Sequence, residues 1–275
     1  MRRGVYVFLL LCLLAGCAPN PSSPTPSPAL TVSPTPSPPP ATPSPSPAPL
    51  PTPPSLEIVL TPPEEGELWG SRSLQVEYQS AEGKLLFEGD LILPYIPNAT
   101  GGYETIEENC RAWMASNLES IQWGMETCQE LGLYCYLISY GNIGFCRGNL
   151  AQLVIYEEGY LGGAHGFHHH SSTCYDLETG ETMKLSDLFA DWPTAREVIW
   201  TALEPQVMNS VNANLAEEAA TQAYEYLDDT PFFLEDEGIT IHYNEYAIAA
   251  YAYGNFDFLL PKDLLAPLSA YPLWD

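Results

Sequence analysis

A proline-rich stretch at residues 18–55 most limits which part of this 275-residue chain can fold. It consists almost wholly of Pro, Ser, Thr and Ala, so it has almost nothing apolar to bury, and its prolines favour the extended polyproline II conformation. At ~3.1 Å per residue, such a segment reaches about 120 Å when it is extended. The sequence therefore predicts a linker at 18–55 and a folded part in the roughly 220 residues that follow.

The residues before the linker resemble an export signal. Arg2 and Arg3 precede an apolar run that ends at Cys17, and this run is shorter than the ~20 residues that a membrane-spanning helix needs. The segment from Leu14 to Cys17 resembles the bacterial lipobox, which implies cleavage before Cys17 and a lipid on its thiol. We therefore expect residues 1–17 to be a lipoprotein signal peptide that ends at Cys17. The mature protein would be extracytoplasmic and anchored to the cell membrane through that lipid.

The folded part is strongly acidic. All 35 Asp and Glu residues lie after residue 55, together with seven of the nine Lys and Arg residues, so 35 minus 7 leaves a net charge of about −28. Nucleic acid and anionic lipid are poor partners for such a surface, whereas cationic proteins and peptides are attracted to it. Net charge alone does not identify a partner. The alternative hypothesis is that the acidic surface only keeps the protein soluble.

Five cysteines lie after the lipobox, and they are Cys110, Cys128, Cys135, Cys146 and Cys174. An exported compartment permits disulfides, so we expect at least one bridge among them. Because five is an odd number, at most two bridges form, and one thiol stays free or pairs with another molecule. Cys110 and Cys128 are excluded as a pair, because they lie 18 residues apart in one predicted helix. That spacing is about 27 Å along the helix axis, whereas disulfide Cα atoms lie within ~7 Å.

The order of the predicted elements is typical of an α+β fold. Residues 104–132 repeat apolar side chains at helical spacing and end at a glycine. The segment 73–96 is predicted to be a hairpin, and 133–140 and 150–158 are predicted to be two strands around a Gly-rich connection. A helix is predicted in 193–211, where Pro205 should kink or split it, and another follows before a final group of short strands. We expect an antiparallel sheet with packed helices, arranged as two small intertwined modules.

Three motifs in register resemble a known family. They are YLGGAHG at 160–166, YDLETGETMKLSDLF at 175–189 and GITIHYNEYAIAAYAYG at 238–254. Their order is similar to that in the extracellular domain of the RsiV anti-sigma factors, and the same pair of modules accompanies the catalytic domain of the PdaC peptidoglycan deacetylases. The resemblance implies a PdaC N-terminal-like module at 56–165 and an RsiV C-terminal-like module at 166–275.

This resemblance implies a binding module rather than a reaction. The RsiV domain is a lysozyme receptor, but RsiV also has a membrane span and a cytoplasmic sigma-binding segment, and PdaC owes its reaction to a separate deacetylase domain. We find none of these in the sequence. The implied ligand is a lysozyme-type muramidase or another cationic envelope protein. By resemblance only, the residues expected to contact it are Gly162, Gly163, His165, Tyr246 and Tyr251.

The segment 165–174 holds four of the chain's five histidines and a cysteine, which suggests a metal site. Zinc takes His and Cys ligands, and the candidates are His165, His168, His170 and Cys174. His168 and His170 share a face if the segment is a strand. Only His165 belongs to the family-like motif, so we expect no specific metal and no cofactor, and we expect His165 to be a hydrogen-bonded turn residue.

Other catalytic patterns are absent from the sequence or unspecific. There is no G-x-S-x-G turn and no phosphate-binding glycine loop, and acidic pairs such as Glu157–Glu158 arise by chance in so acidic a chain. We therefore expect a protein that is not an enzyme. The alternative is a metal-dependent hydrolase that acts on cell-wall glycan or peptide around residues 165–174. A third hypothesis is a structural, wall-associated lipoprotein without a soluble ligand.

Overall fold

The structure is a computed structural model that describes residues 54–274, so the predicted signal peptide, Cys17 and nearly all of the linker lie outside the described residues. Its largest element is a seven-stranded sheet whose strands neighbour one another in chain order. The strands are β1 (Val59–Thr61), β2 (Gly70–Gln79), β3 (Leu85–Tyr95), β4 (Cys135–Arg147), β5 (Leu150–Tyr160), β6 (Phe167–Asp176) and β7 (Thr182–Met183).

Helices and a second sheet complete the fold. The helices are α1 (Gly102–Leu131), which connects β3 to β4, then α2 (Trp192–Ser210), α3 (Ala216–Tyr226) and the short α4 (Lys262–Leu265). The small antiparallel sheet consists of β8 (Phe232–Glu235), β9 (Gly238–Tyr243) and β10 (Phe256–Pro261), with β9 in the centre. Single 3-10 turns lie at Leu185–Leu188, Tyr251–Tyr253 and Ala266–Leu268. The α+β fold class predicted from the sequence is confirmed.

The pairing of β3 with β4 departs from the predicted antiparallel arrangement. These two strands run parallel, whereas the other neighbours in both sheets run antiparallel. The reason is α1, since a helix between two adjacent strands carries the chain back to the end of the sheet where the first strand began.

The helix α1 covers one face of the large sheet. Ile106, Ile121 and Cys128 are fully buried at helical spacing on the side that faces the strands. At Gly124 the helix lies so close to the sheet that an added Cβ would stand 2.5 Å from the ring of Phe87. The helix ends as predicted at residue 132, which is a glycine in the left-handed conformation whose N–H donates to the Cys128 carbonyl.

The helix α2 begins with local signals that the sequence contains. The Asp191 carboxylate accepts hydrogen bonds from the backbone N–H and the hydroxyl of Thr194, and Pro193 occupies the first turn. Of the two outcomes expected at Pro205, splitting does not occur, because the helix continues through the proline. Leu203 and Val207 are fully buried on either side of the proline, and their packing holds the helix together at this point.

A second apolar core lies on the other face of the large sheet. Cys174 and Tyr175 are neighbours in β6 and belong to different cores, because successive side chains of a strand point to opposite faces. The second core contains the small sheet, α2 and α3. Gln152 of β5 joins the two sheets, since its side-chain amide donates to the Phe232 carbonyl at 2.8 Å and accepts from the Leu234 N–H at 2.9 Å.

The five cysteines after the lipobox are all free thiols in the described part of the chain. The disulfide that we expected is therefore not formed in this structure. Cys128 and Cys135 are the two whose thiols lie in hydrogen-bond contact, across the turn between α1 and β4. None of the helices within residues 54–274 is both long enough and apolar enough to cross a membrane.

Candidate functional site

Three residues that the sequence motifs singled out meet in one cluster. His165 lies between β5 and β6, and its imidazole Nε2 is 2.9 Å from the hydroxyl of Tyr246, which lies 81 positions further along the chain. The ring of Tyr251 stacks on the imidazole with a centroid separation of 3.9 Å. We call His165, Tyr246 and Tyr251 the His165 cluster. It joins the connection between β5 and β6 to the connection between β9 and β10.

The hydrogen bonds of His165 fix its tautomer. Its Nδ1 is 2.7 Å from the carbonyl oxygen of Gly166, and a carbonyl only accepts, so Nδ1 carries the proton. In the neutral ring Nε2 is then the acceptor for the Tyr246 hydroxyl. His165 is thus a hydrogen-bonded turn residue, as the sequence predicted, and it also orients the ring of Tyr246.

The two glycines of the motif shape the loop that holds His165. Gly162 has a φ of 83°, which favours glycine, and an added Cβ would stand 2.9 Å from the Thr127 side chain of α1. The carbonyl of Gly163 accepts a hydrogen bond from the Tyr160 hydroxyl at 3.0 Å. Neither glycine has a side chain to offer a ligand, so their contribution to the site is the loop conformation.

Tyr246 and His165 are the exposed members of the cluster, whereas Tyr251 is half-buried. Tyr246 has a side chain that is 61% exposed, and its φ of 66° is rare for a bulky residue. Such conformations persist where the surrounding structure enforces them, and they concentrate at functional sites. The preceding residue, Glu245, helps to hold the backbone of Tyr246 in this conformation, because it is fixed at two points. Its N–H donates to the Asn255 side chain, and its carboxylate binds His168.

His168 lies between two carboxylates. Its Nδ1 is 2.8 Å from Glu245, and its Nε2 is 3.7 Å from Glu158 of the neighbouring strand β5. Glu158 also accepts a hydrogen bond from the Tyr156 hydroxyl. Burial and this carboxylate raise the pKa of Tyr156, so its hydroxyl stays a donor. The arrangement attaches the loop after β9 to the same face of the large sheet as the second core.

His170 belongs to a second, more buried network. Asn244 bonds to the backbone of His170 on both sides, accepting at 2.7 Å and donating at 2.9 Å, which fixes the orientation of its amide. The oxygen of this amide also faces Nε2 of the fully buried His242, whose Nδ1 contacts Asp257 at 2.6 Å. The hydrogen bond from His242 lowers the pKa of Asp257, while burial and then His242 lower the pKa of His170.

A face of tyrosines and carboxylates borders the His165 cluster. The hydroxyl of Tyr140 on β4 donates to Asp90 on β3 at 2.8 Å, and that of Tyr134, just before β4, donates to Glu88 on β3 at 2.8 Å. Burial and the Glu88 carboxylate raise the pKa of Tyr134 to about 12, so the hydroxyl remains protonated at neutral pH. These groups can donate hydrogen bonds or attract cations, but none is arranged as a base beside a nucleophile.

Cys174 is not part of this site. It lies in the second core, 1% exposed, beside the β7 residue Met183, and burial raises the pKa of its thiol to about 12. Four positions of strand separate it from His170, which is about 13 Å. His168 and His170 share a face of β6 as predicted, but each binds the loop after β9. Among residues 54–274, no three His, Cys, Asp or Glu side chains are arranged to hold a metal ion.

Several residues of the site were not found from the sequence. Alternation along β5 places Tyr156 and Glu158 on one face, and this signal was available. The contact of Glu158 with His168 depends on the register of β5 with β6, in which these two residues are directly opposite. Asn244 and Glu245 lie within the motif at 238–254, but their partners His170 and His168 are more than 70 positions away. The contact of Asp257 with His242 depends on the register of β10 with β9.

The fold and the site define a class of protein. It is an α+β domain with two sheets, in which a hydrogen-bonded surface of tyrosines, histidines and carboxylates lies beside the connection between β9 and β10. Residues 186–263, which include α2, α3 and the small sheet, match a family model described as "Protein of unknown function (DUF3298)".

Two solved structures are similar to about three quarters of this chain. A DUF3298 family member from Bacteroides fragilis is 17% identical, with a TM-score of 0.53 over 74% of this chain and 94% of that one. A DUF3298 family protein from Pseudomonas aeruginosa is 15% identical, with a TM-score of 0.50 over 76% of this chain and 97% of that one. At this level of identity the likeness concerns the fold. No curated protein matches the chain.

These matches agree with the resemblance to the RsiV and PdaC modules but do not test it at the level of the ligand. The matched family has no assigned reaction. The boundary between modules at residues 165 and 166 also stays a prediction. In the structure β5 and β6 pair along their length on either side of it.

Proposed function

We propose that the folded part is a non-catalytic module that binds a cationic protein of the cell envelope, with a lysozyme-type muramidase as the first candidate. The observation that carries this proposal is the His165 cluster. Three residues expected to contact the ligand come from two distant motifs and meet at one exposed place. Residues that only maintained the core would be buried, whereas the Tyr246 side chain is 61% exposed.

The chemistry of the cluster suits a protein ligand. Tyrosine is enriched among the residues that dominate binding energy, because its ring offers a large contact area and its hydroxyl a hydrogen bond. The hydrogen bond and the ring stack with His165 hold Tyr246 and Tyr251 in place before a ligand arrives. Such preorganisation reduces the entropy that is lost on binding.

The charge of the module favours a basic ligand. The folded part has a net charge of about −28. Glu245 directly precedes Tyr246 of the cluster, and Glu158 faces Glu245 across His168. Lysozymes are commonly strongly basic, so opposite fields would raise the association rate and make it depend on salt. At 0.15 M salt the Debye length is ~8 Å, so only close charges still contribute to the complex.

The location in this proposal follows from the N-terminal sequence. A lipid on Cys17 would keep the module at the outer surface of the membrane, and the linker at 18–55 would hold it away from the bilayer. A receptor for a wall-degrading enzyme needs this reach, because its ligand arrives from the wall side.

Interferometry with hen lysozyme as the probe tests the proposal. The immobilised folded part should bind lysozyme at both 0.02 M and 0.15 M salt, and binding should inhibit muramidase activity on a cell-wall suspension. The variant Tyr246→Asn should weaken binding at 0.15 M salt by about tenfold, since it removes an exposed aromatic anchor. Asparagine tolerates a positive φ, so the backbone of the loop is kept.

The matched control is Tyr226→Asn, which removes another exposed tyrosine, on α3 and outside the cluster. It should leave lysozyme binding within twofold of the unchanged protein. The proposal fails if lysozyme binds only at low salt and cytochrome c, another basic protein, binds equally well. It also fails for the His165 cluster if the two tyrosine variants behave alike.

A further inference from the structure

A groove between α2 and α3 lies apart from the His165 cluster. Trp200, Glu204 and Met208 recur every four residues along α2 and line one wall, and α3 lines the other wall. The residues of α3 that face the groove are Glu217, Ala220, Thr221, Tyr224 and Glu225. The groove has a volume of about 550 Å³. The eight steps from residue 200 to residue 208 correspond to about 12 Å of helix, so the groove is a little over two helical turns long.

The floor of the groove is apolar and aromatic. Met208 and Tyr224 are large side chains of this floor, and each is 38% exposed. Trp200 and Tyr224 meet edge to face with their ring centroids 5.0 Å apart. The ring of Tyr224 already has a cation against it, since the guanidinium carbon of Arg196 lies 4.0 Å from its centroid.

The rim of the groove carries only negative charge. Glu204, Glu217 and Glu225 are exposed, and no Lys or Arg is among the residues that line the groove. Within the described part of the chain these three carboxylates form no ion pair. An apolar floor between uncompensated carboxylates is complementary to a surface with an apolar stripe and flanking cations.

We propose that this groove binds an amphipathic, cationic helix of another polypeptide, with apolar side chains at positions i, i+4 and i+7 and Lys or Arg beside them. Two parallel stripes on neighbouring helices form the kind of groove in which the apolar face of a third helix packs. The flanking cations of the ligand would pair with the three glutamates on the rim.

Charge selects this occupant over two others. A second copy of the folded part has the same net charge of about −28 and the same acidic rim, so the two copies repel each other. The linker at 18–55 contains no Lys or Arg, so it leaves the carboxylates without partners. The site is also separate from the one proposed above. The residues next to Tyr246 are Leu215, just before α3, and Glu218, Ala219 and Gln222 of α3, and none of them lines the groove.

The test uses a synthetic 14-residue peptide with leucines at i, i+4 and i+7 and lysines at the flanking positions. The peptide carries a fluorescent label, and its anisotropy is measured against the purified folded part at 0.15 M salt. Binding should be saturable with one site. A peptide of the same composition with the leucine stripe scrambled should bind at least about tenfold more weakly, because it cannot place its apolar residues on one face.

Protein variants locate the site. Neutralising the rim with Glu204→Gln, Glu217→Gln and Glu225→Gln together should weaken binding by about tenfold, in line with three exposed ion pairs. The control neutralises three exposed glutamates elsewhere, with Glu64→Gln, Glu65→Gln and Glu82→Gln, and should change binding less than twofold. Both variants have the same net charge. Circular dichroism of each variant checks that the helices are kept.

Each opposite outcome overturns the proposal. Equal binding of the scrambled peptide, or equal loss in the two triple variants, would mean that only net charge matters. Competition by a peptide of residues 18–55, or a dimer in sedimentation that the rim variant dissociates, would assign the groove to the linker or to a second copy. Tyr246→Asn should leave peptide binding unchanged. If Tyr246→Asn abolishes peptide binding, and lysozyme still binds the triple rim variant normally, then the groove is not a binding site separate from the His165 cluster.

Discussion

Glu107 shows how a buried charge is compensated in this fold. Its side chain is 2% exposed and accepts hydrogen bonds from the guanidinium of Arg72, from Arg111 and from the backbone N–H of Ile96. Arg72 is 6% exposed and also reaches the carbonyl of Pro94. Burial alone would raise the pKa of Glu107, but these hydrogen bonds outweigh it and hold the pKa below its ordinary value.

The variant Glu107→Gln should lower the free energy of unfolding at pH 7 by about 3 kcal/mol, because it leaves the Arg72 guanidinium buried without its counter-charge. Urea unfolding followed by circular dichroism measures this change. The neighbouring exposed residue provides the control, and Glu108→Gln should stay within about 0.5 kcal/mol. Equal effects of the two variants would show that the buried pair contributes nothing specific.

The same group predicts a pH dependence. The pKa of Glu107 is lower in the folded protein than its ordinary value of 4.5, so its ionised form stabilises the fold above that pH. The contribution is lost as the pH falls from about 4.5 through the folded-state pKa. The stability difference between the unchanged protein and Glu107→Gln should therefore shrink in this acidic window, and a difference that grows there would contradict the assignment.

At the scale of elements, the turn between α1 and β4 places two thiols together. Cys128 is near the end of α1, Cys135 begins β4, and both are fully buried. Burial and the neighbouring Cys135 thiol raise the pKa of Cys128 to about 11, and burial raises that of Cys135, so both are protonated at neutral pH. Thiolates are the reactive form, so oxidation here needs a catalyst such as a thiol–disulfide oxidoreductase.

We predict that protein exported to an oxidising compartment contains a Cys128–Cys135 disulfide. The two thiols would be oxidised to one S–S bond. Their two electrons would reduce the disulfide of the oxidoreductase to two thiols, and their protons would pass to the reduced enzyme or to water. Non-reducing peptide mapping detects the bridge. Cys146→Ser should not affect it, because Cys146 is exposed and its sulfur lies beside the Tyr103 hydroxyl instead.

Two outcomes of the mapping would contradict this prediction. Five free thiols in protein recovered from the envelope would show that no disulfide forms. A crosslink between Cys110 and Cys128 would contradict α1 itself, since these residues lie 18 positions apart in one continuous helix.

At the scale of the whole molecule, location depends on residues outside the described part of the chain. We predict that Cys17→Ser leaves an unprocessed precursor or a protein released from the membrane, because the lipid is attached to the thiol. Fractionation of cells with metabolic fatty-acid labelling measures this. The control Cys12→Ser changes a cysteine that is removed with the signal peptide and should leave a labelled, membrane-bound protein. A labelled, mature-sized Cys17→Ser protein would contradict the lipoprotein prediction.

Much of the fold was predictable because local signals agreed with it. The apolar periodicity of α1 and the glycine at 132 define one long helix, and the strand alternation on either side defines the α+β class. The motifs also pointed to His165, Tyr246 and Tyr251 before their contact was known. For the helix and the strands the physical cause acts within a few residues, as side-chain spacing or a cap, whereas these three site residues came from the family resemblance alone.

Only the tertiary structure decided the rest, because the relevant contacts join distant parts of the chain. Whether His168 and His170 bind a metal or a loop depends on where Asn244 and Glu245 lie, 74 to 77 positions away. The parallel pairing of β3 with β4, the continuity of α2 through Pro205 and the acidic groove between α2 and α3 depend likewise on packing. A sequence pattern assigns a residue to one face of its own element, whereas the element packed against that face is chosen by the fold.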